Sequence, residues 1–268
     1  MAKVKIIIVT QTYPPRIGGM QSVMKGLAKK LSKYYQVTVL ADHKVPRKEQ
    51  EEGLALEIVS FPVPKVLRNF FKKIYISKLA NKETLLVCDS WKSVLAIPPN
   101  IKNNIIVLAH GQEYLDQRKI NKINSALSRA TILVSNSKLT KNLAKKILLQ
   151  PKLRHIIIPP TYLMDKNPVS FRKNKNKIPN LLTLTRIDIR KGIRQTMEAL
   201  FSLKKQKKIK DFIWHIAGNG PELDNLKKLS HSFGLEKEIK FYGWISDFEK
   251  NKLFKKADIF VMPSYKNK

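Results

Sequence analysis

Residues 4–40, VKIIIVTQTYPPRIGGMQSVMKGLAKKLSKYYQVTVL, carry the pattern that sets the fold class. The run Val4–Thr10 is short and β-branched and precedes the breaker Tyr13-Pro14-Pro15, as a buried strand does. Apolar residues at helical spacing then predict an amphipathic helix. Its inner face would carry Val23, Leu27, Leu31 and Tyr34. Val37–Leu40 is a second strand, and a strand-helix-strand unit of this kind implies a parallel sheet.

The alternation of strands and helices continues along the chain. Short apolar runs predict further strands at Leu56–Phe61, Leu85–Val87, Ile105–Ala109, Ile132–Val134 and Ile156–Ile158. Residues 165–179 are rich in Lys, Asn and Pro, lack periodicity, and predict a linker. The pattern then restarts with strands at Leu181–Leu184, Phe212–Ala217, Ile239–Tyr242 and Ile259–Met262.

Helices are predicted between these later strands, at Gly192–Leu203, Glu222–Phe233 and Phe248–Lys256. The first of them would turn Ile193, Met197, Leu200 and Phe201 inward. The sequence therefore predicts an α/β protein of two Rossmann-like, doubly wound domains, 1–164 and 180–268. Each domain would hold a parallel sheet, and the two would face each other across a cleft.

The composition excludes several classes of protein. The chain has 268 residues, 43% of them apolar, which excludes a disordered basic tail. The single cysteine, Cys88, cannot form an internal disulfide, so we expect a reducing, cytoplasmic compartment. No run approaches the roughly 18 apolar residues of a membrane span, and the apolar part of the first residues is too short for a secretory signal.

The positive charge is large and evenly spread. The chain has 52 Lys and Arg against 20 Asp and Glu, a formal net charge of +32, and 42 of the 52 basic residues are Lys. Readers of nucleic-acid sequence favour Arg for its bidentate fork, and no zinc-finger, RNP or Gly-x-x-Gly module is present. Specific nucleic-acid binding is therefore not expected. An anionic membrane surface or an anionic substrate fits the charge equally well.

Two loops that follow predicted strands carry candidate binding residues. Gly18 and Gly19 precede the first helix, where backbone N–H groups can approach an anion; an ordinary tight turn is the alternative. Arg186 and Lys191 follow the strand Leu181–Leu184, so two cations could clamp a diphosphate and stabilise the charge that grows on it as a leaving group. Taken alone, a solvated basic loop is the more common explanation of such a pair.

Two further turns carry polar or flexible residues. Gly218-Asn219-Gly220 leads from a strand into a helix that Pro221 and Glu222 would start and cap, so no ligand role is expected for Glu222. His110 directly follows the strand Ile105–Ala109. It could orient or polarise a substrate hydroxyl, or be a hydrogen-bonded structural histidine.

The segment Val66–Ile74 predicts a basic amphipathic helix. Its apolar stripe consists of Val66, Leu67, Phe70, Phe71 and Ile74. The remaining positions are Lys65, Arg68, Lys72 and Lys73. Such a helix can lie in a membrane interface, and a surface helix with its stripe in the core is the alternative. No motif with metal-ligand spacing is present, so no metal is expected.

Six features in this order resemble the GT-B glycosyltransferases of glycosyltransferase family 4. They are Pro15–Gly19, His110-Gly111, Ser135-Asn136-Ser137, Arg186 with Lys191-Gly192, Gly218-Asn219-Gly220-Pro221, and Ala257–Ser264. The resemblance implies a GT-B fold and retaining transfer of a sugar from a nucleotide-sugar donor. We expect the acceptor to be a cell-envelope or lipid-linked glycan and the location to be the cytoplasm. Peripheral contact with the inner face of the membrane is predicted from Val66–Ile74 and the diffuse positive charge.

The resemblance also implies roles for individual residues. Arg186 and Lys191 match the pair that holds the donor diphosphate, which makes a metal or other cofactor unnecessary. Gly18 and Gly19 match a loop near the reacting centre, and His110 matches a histidine of that site. The turn with Gly218 and Gly220 belongs to the donor-binding side.

The chain departs from the family pattern in three places. Thr185 stands where the family has a Gly before the donor-binding Arg, and Pro159-Pro160-Thr161 replaces a Pro-Asn-Gly turn. The family continues after the position of Ser264 with a Glu-Gly-Phe-Gly segment and a second Glu that contact the donor. We therefore expect a truncated, incomplete second domain. A catalytically inactive fragment that binds nucleotide, membrane or a partner is the alternative function.

Overall fold

The computed structural model describes residues 4–16, 18–46, 53–149, 153–160 and 178–265. The chain divides into two compact units, Met1–Met164 and Asp165–Lys268. The predicted linker 165–179 lies outside the described residues except for Ile178 and Pro179.

The first unit is built on a seven-stranded parallel sheet. Its strands are β1 (Lys5–Thr10), β2 (Gln36–Ala41), β3 (Leu56–Ser60), β4 (Leu85–Cys88), β5 (Ile105–Ala109), β6 (Ile132–Ser135) and β7 (Arg154–Ile157). Its helices are α1 (Gly19–Leu31), α2 (Lys65–Leu79), α3 (Trp91–Val94), α4 (Ile120–Leu127) and α5 (Lys138–Lys145). Two short 3-10 helices, Gln112–Leu115 and Gln117–Lys119, lie between β5 and α4.

The strand order of this sheet reverses beside β1. The order is β3-β2-β1-β4-β5-β6-β7, and Ile6 of β1 pairs with Val37 on one side and Leu85 on the other. In open parallel sheets, ligands bind outside the carboxyl ends of the strands at such a switch point. The relevant place in the first unit is therefore where β1 and β4 end.

The second unit is built on a four-stranded parallel sheet, in the order β10-β9-β8-β11. Its strands are β8 (Asn180–Leu184), β9 (Ile213–Ala217), β10 (Ile239–Gly243) and β11 (Ile259–Phe260). Its helices are α6 (Ile193–Lys205), α7 (Leu223–Ser232) and α8 (Asp247–Lys256), and the 3-10 turn Ile189–Lys191 precedes α6. The strand order reverses between β8 and β11, so the switch point lies where β8 ends.

The central strands of both sheets, such as β1 and β9, are buried on two faces because helices cover each side, which is why these strands are nearly continuous apolar runs. In β1, Ile6 and Ile8 pack into one cluster and Ile7 and Val9 into another. In the second unit Trp214 is fully buried, and its indole N–H donates to the Thr183 hydroxyl at 3.0 Å.

The predicted α/β class of two doubly wound parallel sheets is confirmed, and the second sheet is the smaller. The predicted strands and the later helices lie within two residues of their observed bounds. The inward face predicted for α6 is also correct, because Ile193 and Met197 are buried and Leu200 and Phe201 pack against the same cluster.

The inner face predicted for α1 is partly wrong. Met24 and Ala28 are the fully buried residues, and Leu27 and Leu31 pack only partly buried against their cluster. Tyr34 lies after the end of the helix at Leu31 and is 70% exposed.

The orientation of α2 excludes the alternative that its apolar stripe lies in the core, and it corrects the expectation for Lys72. The apolar stripe does not enter the core: Val66, Leu67, Phe70, Phe71 and Ile74 are exposed. Lys72, expected on the solvated part of the helix, is 1% exposed. The helix buries Lys72 because its ammonium finds two oxygen partners at the end of the sheet, described below.

The start of α7 also differs from the expectation. The helix begins at Leu223, so Glu222 is the N-cap residue, and its side chain makes no capping hydrogen bond. Pro221 lies in the turn before it, and the acidic residue of the first turn is Asp224.

Candidate functional site

Asp89, the residue after β4, organises the switch point of the first unit. It is 1% exposed, and its Oδ2 accepts four hydrogen bonds from residues 10–12, at the end of β1 and directly after it. The donors are the Thr10 hydroxyl at 2.7 Å, the Gln11 N–H at 2.8 Å, the Thr12 N–H at 3.1 Å and the Thr12 hydroxyl at 2.8 Å. Its Oδ1 accepts from the Ser93 hydroxyl at 2.6 Å. A buried carboxylate saturated in this way fixes the path of the loop that leads to Gly18.

A buried ion pair supports the same strand end from the other side. The Lys72 ammonium donates to the Thr10 carbonyl at 2.9 Å and to Asp42 Oδ1 at 2.5 Å. The Arg68 guanidinium lies 3.5 Å from the other oxygen of Asp42. Desolvation lowers the pKa of Lys72, and the neighbouring Asp42 carboxylate opposes that shift.

His110 lies one residue after β5 and is held by its ring and by its backbone. Its Nε2 is 2.8 Å from the carbonyl oxygen of Asp89, and its backbone N–H donates to the Glu113 carboxylate at 2.8 Å. The next residue, Gly111, has a φ of 105°, and a Cβ there would lie 2.7 Å from the Thr140 hydroxyl oxygen. A side chain at position 111 would therefore disturb the placement of His110.

Gly18 and Gly19 lie at the start of α1, as the sequence predicts. Gly18 is the N-cap residue, without a side-chain cap, and Gly19 is the first helical residue. A Cβ on Gly19 would meet nothing within 4 Å, so packing does not explain the absence of a side chain there. The start of the helix is open to an anion or to the close approach of a ligand.

Arg186 and Lys191 lie in one loop at the switch point of the second unit. Arg186 is exposed after β8, and Lys191 is half-buried at the end of the 3-10 turn before α6. Within the described part of the chain, neither side chain has a hydrogen bond or salt bridge. The other charges of the loop are paired, because Asp188 binds the Arg190 guanidinium at 3.1 Å and 3.2 Å. These hydrogen bonds, with a smaller contribution from the charge of Arg186, lower the pKa of Asp188 to about 2. The Asp188 side chain is hydrogen-bonded to Arg190 and not to Lys191.

Gly218 and Gly220 hold this loop from the neighbouring strand. A Cβ on Gly218, whose φ is 137°, would lie 1.8 Å from the Thr185 carbonyl oxygen, and one on Gly220 would lie 2.1 Å from that of Ile187. The Ile187 N–H also donates to the Asn219 carbonyl at 3.0 Å. The two glycines therefore position the backbone on both sides of Arg186, a purpose that the sequence alone did not reveal.

The described part of the chain contains neither a group of residues with metal-ligand chemistry nor an accessible thiol. Over the ranges that the structure covers, no group of three His, Cys, Asp or Glu side chains could hold a metal ion. Cys88 is fully buried, and burial raises the pKa of its thiol above the ordinary range. Sequence reasoning missed Asp89, Asp42 and the burial of Lys72. A polar residue directly after an apolar strand was the signal that could have pointed to Asp89.

Residues 165–268 match the family described as glycosyl transferases group 1. A glycosyltransferase of Methanocaldococcus jannaschii, itself uncharacterized, is 27% identical to this chain. The match covers 99% of this chain and 76% of the relative.

Solved structures share the fold over nearly the whole chain. HepE of Anabaena in complex with UDP-glucose matches with a TM-score of 0.72 and 15% identity, covering 97% of this chain and 74% of that one. The lipopolysaccharide outer core galactosyltransferase WaaB matches with a TM-score of 0.70 and 13% identity, over the same shares of the two chains. The chain thus has the GT-B fold of these glycosyltransferases, and its residues 165–268 are similar to the family described as glycosyl transferases group 1.

Proposed function

We propose that the chain is a retaining glycosyltransferase of the family 4 type. It would transfer a sugar from a nucleotide-sugar donor to a cell-envelope or lipid-linked glycan. The observation that carries the proposal is the pair Arg186 and Lys191: two cations in a loop at the switch point of the second sheet, neither of which makes a hydrogen bond or salt bridge among the described residues. Gly218 and Gly220 fix the backbone that presents Arg186.

The chemistry follows from the charge that transfer creates. The bond between the anomeric carbon and the β-phosphate oxygen breaks, the acceptor oxygen bonds to that carbon, and the acceptor proton leaves with the diphosphate or to solvent. Two fixed cations stabilise the diphosphate as its charge grows, which is the task that a metal ion performs elsewhere. We therefore propose donor binding without a metal. His110 and the Gly18-Gly19 loop would contact the sugar in the first unit.

The test is incubation of the purified chain with UDP-, GDP- and ADP-sugars and lipid-linked glycan acceptors. We expect transfer from one donor, with the anomeric configuration of the product, read by NMR, the same as that of the donor. An inverted product would contradict the retaining mechanism. Nucleotide binding without transfer to any acceptor would favour the alternative, an inactive chain that binds nucleotide.

We further propose that the first unit contacts an anionic membrane surface through the exposed face of α2. This face carries Val66, 85% exposed, and Phe70, 58% exposed, together with Leu67, Phe71 and Ile74. Lys65, Lys73 and Lys78 flank it, and Lys65–Leu79 contains no acidic residue. None of the described helices is long and apolar enough to cross a membrane. An apolar face bordered by cations suits the interface of a bilayer with anionic headgroups, which would place the chain peripherally on the cytoplasmic side.

Replacing Phe70 and Phe71 together with Ser is expected to weaken binding to vesicles that contain anionic lipid by about tenfold or more, because two partly inserted rings lose their apolar burial. Cosedimentation with phosphatidylglycerol vesicles measures this. Phe248→Ser is the control, since Phe248 is 79% exposed in the second unit. Equal binding of native chain and double variant would contradict the assignment of this face.

A further inference from the structure

Three segments at the switch point of the first unit meet at one residue. The Asp89 carboxylate accepts hydrogen bonds from residues 10–12, and its backbone N–H donates to the end of β1. Its carbonyl oxygen contacts the His110 ring. Its N–H donates to the Val9 carbonyl at 3.2 Å, and the His110 contact is 2.8 Å. Every polar group of the residue is therefore used, and each contacts a different part of the switch point.

The contact to His110 fixes which ring nitrogen carries the proton. A backbone carbonyl can only accept a hydrogen bond, so the Nε2 atom that lies 2.8 Å from it must carry the hydrogen. The neutral ring then has its lone pair on Nδ1. Among the described residues, Nδ1 has no hydrogen-bond partner, so it is the ring atom that a substrate hydroxyl can reach.

The carboxylate fixes where that carbonyl lies. Its Oδ2 holds Thr10, Gln11 and Thr12 together through four hydrogen bonds, and its Oδ1 holds Ser93 in α3. Exchange of the carboxylate for an amide removes the negative charge that these donors bind and replaces one of the two acceptor oxygens with an NH2 group. The loop leading to Gly18 and the His110 ring would then lose their common support.

We infer that Asp89 is the positioning residue of the first unit: its carboxylate sets the loop before Gly18, and its carbonyl holds His110 in the Nε2–H form, with Nδ1 available to accept a hydrogen bond from a sugar hydroxyl. This inference rests on the proposed function for the identity of the substrate. The tautomer of His110 and its dependence on Asp89 can be measured in the chain without substrate, so they do not depend on the proposed function.

Long-range proton–nitrogen NMR of the histidine-labelled chain reads the tautomer directly. We expect the neutral His110 ring in the Nε2–H form, with its signal assigned by its loss in His110→Gln. In Asp89→Asn the ring should populate both tautomers, while the signals of His155, which bonds Ser135 through its own ring, stay in place. A native His110 protonated on Nδ1, or an unchanged His110 tautomer in Asp89→Asn, would overturn the inference.

The control and the milder variants separate positioning from stability. Asp258→Asn removes a carboxylate that accepts from the Asn180 N–H at 2.8 Å in the second unit, so it should lower stability without changing the His110 signals.

If Asp89→Asn does not fold, Thr12→Val and Thr12→Ser replace it. Loss of the 2.8 Å hydroxyl contact in Thr12→Val should shift the His110 signals, and Thr12→Ser should restore them. Identical His110 signals in the two Thr12 variants would contradict the inference.

A kinetic measurement tests whether the positioning by Asp89 affects sugar transfer. Asp89→Asn should lower kcat by about 10- to 100-fold, the cost of misplacing a reacting geometry, and leave the dissociation constant of the nucleoside diphosphate unchanged. Equal loss of nucleotide affinity would contradict a positioning role. Absence of transfer by the native chain would refute the proposed function, whereas the NMR result would still decide the role of Asp89.

Discussion

Replacing Asp42 with Ala is expected to destabilise the first unit by about 3–5 kcal/mol, the cost of leaving a buried charge without its partner. The Lys72 side chain is 1% exposed and its ammonium lies 2.5 Å from Asp42 Oδ1. Without the carboxylate, the Thr10 carbonyl is the one hydrogen-bond partner of the ammonium that remains among the described residues, and the Phe61 ring centroid lies 6.0 Å away. Urea unfolding of the native chain and the variant at neutral pH measures the difference.

The pH dependence and a second substitution provide the controls. Because desolvation lowers the pKa of Lys72 in the folded state, the unfolded chain binds more protons, and stability rises with pH toward the ordinary pKa of lysine. Removing Asp42 lowers the pKa of Lys72 further, because the carboxylate no longer opposes the desolvation. The loss in free energy of unfolding caused by Asp42→Ala should therefore be smaller at pH 9.5 than at pH 7. Adding Lys72→Met should recover part of the stability, since Met fills the space without a charge. A deficit that grows with pH would contradict this account of the pair.

The double variant Arg186→Ala, Lys191→Ala is expected to lose about 10²- to 10⁴-fold in kcat/KM for the donor, since each hydrogen bond to a charged group contributes about 1.5–3 kcal/mol. Arg186→Lys should lose less, because it keeps the charge and gives up only the bidentate fork. Initial rates at low donor concentration measure both effects.

Arg194→Ala is the matched control for this pair. Arg194 lies on the exposed face of α6 and is already bound to Glu198 at 3.0 Å, so its loss should leave kcat/KM unchanged. If Arg194→Ala loses as much kcat/KM as the double variant, the overall positive charge of the chain attracts the donor and this pair has no special role. Unchanged activity in the double variant would remove Arg186 and Lys191 from the site.

The order of strands and helices could be predicted from the sequence because it depends on local patterns. Strands such as Lys5–Thr10 are apolar on both faces, and the helices between them repeat at helical spacing. The burial of Lys72 could not be predicted in the same way. Its partners Thr10 and Asp42 lie 62 and 30 residues away in the sequence, so a helical pattern alone assigns this lysine to solvent.

In the candidate site, too, features set by the local sequence could be predicted, and contacts between residues distant in sequence could not. The positions of His110, Arg186 and Lys191 after strands followed from the strand pattern. The reason for Gly218 and Gly220 did not, because the atoms they approach belong to Thr185 and Ile187 of another strand end. Asp89 was missed because its carboxylate acts on residues 10–12, which are distant in sequence and adjacent only after β1 and β4 pair.

Titration calorimetry of UDP, GDP and ADP, in buffer containing EDTA, tests the central claim most directly. The claim is that Arg186 and Lys191 bind the diphosphate of a nucleotide-sugar donor without a metal. The account predicts that at least one of the three nucleotides binds the native chain, that EDTA leaves the affinity unchanged, and that the double variant Arg186→Ala, Lys191→Ala loses the binding. Binding of none of them, or equal binding to the native chain and the double variant, would contradict it.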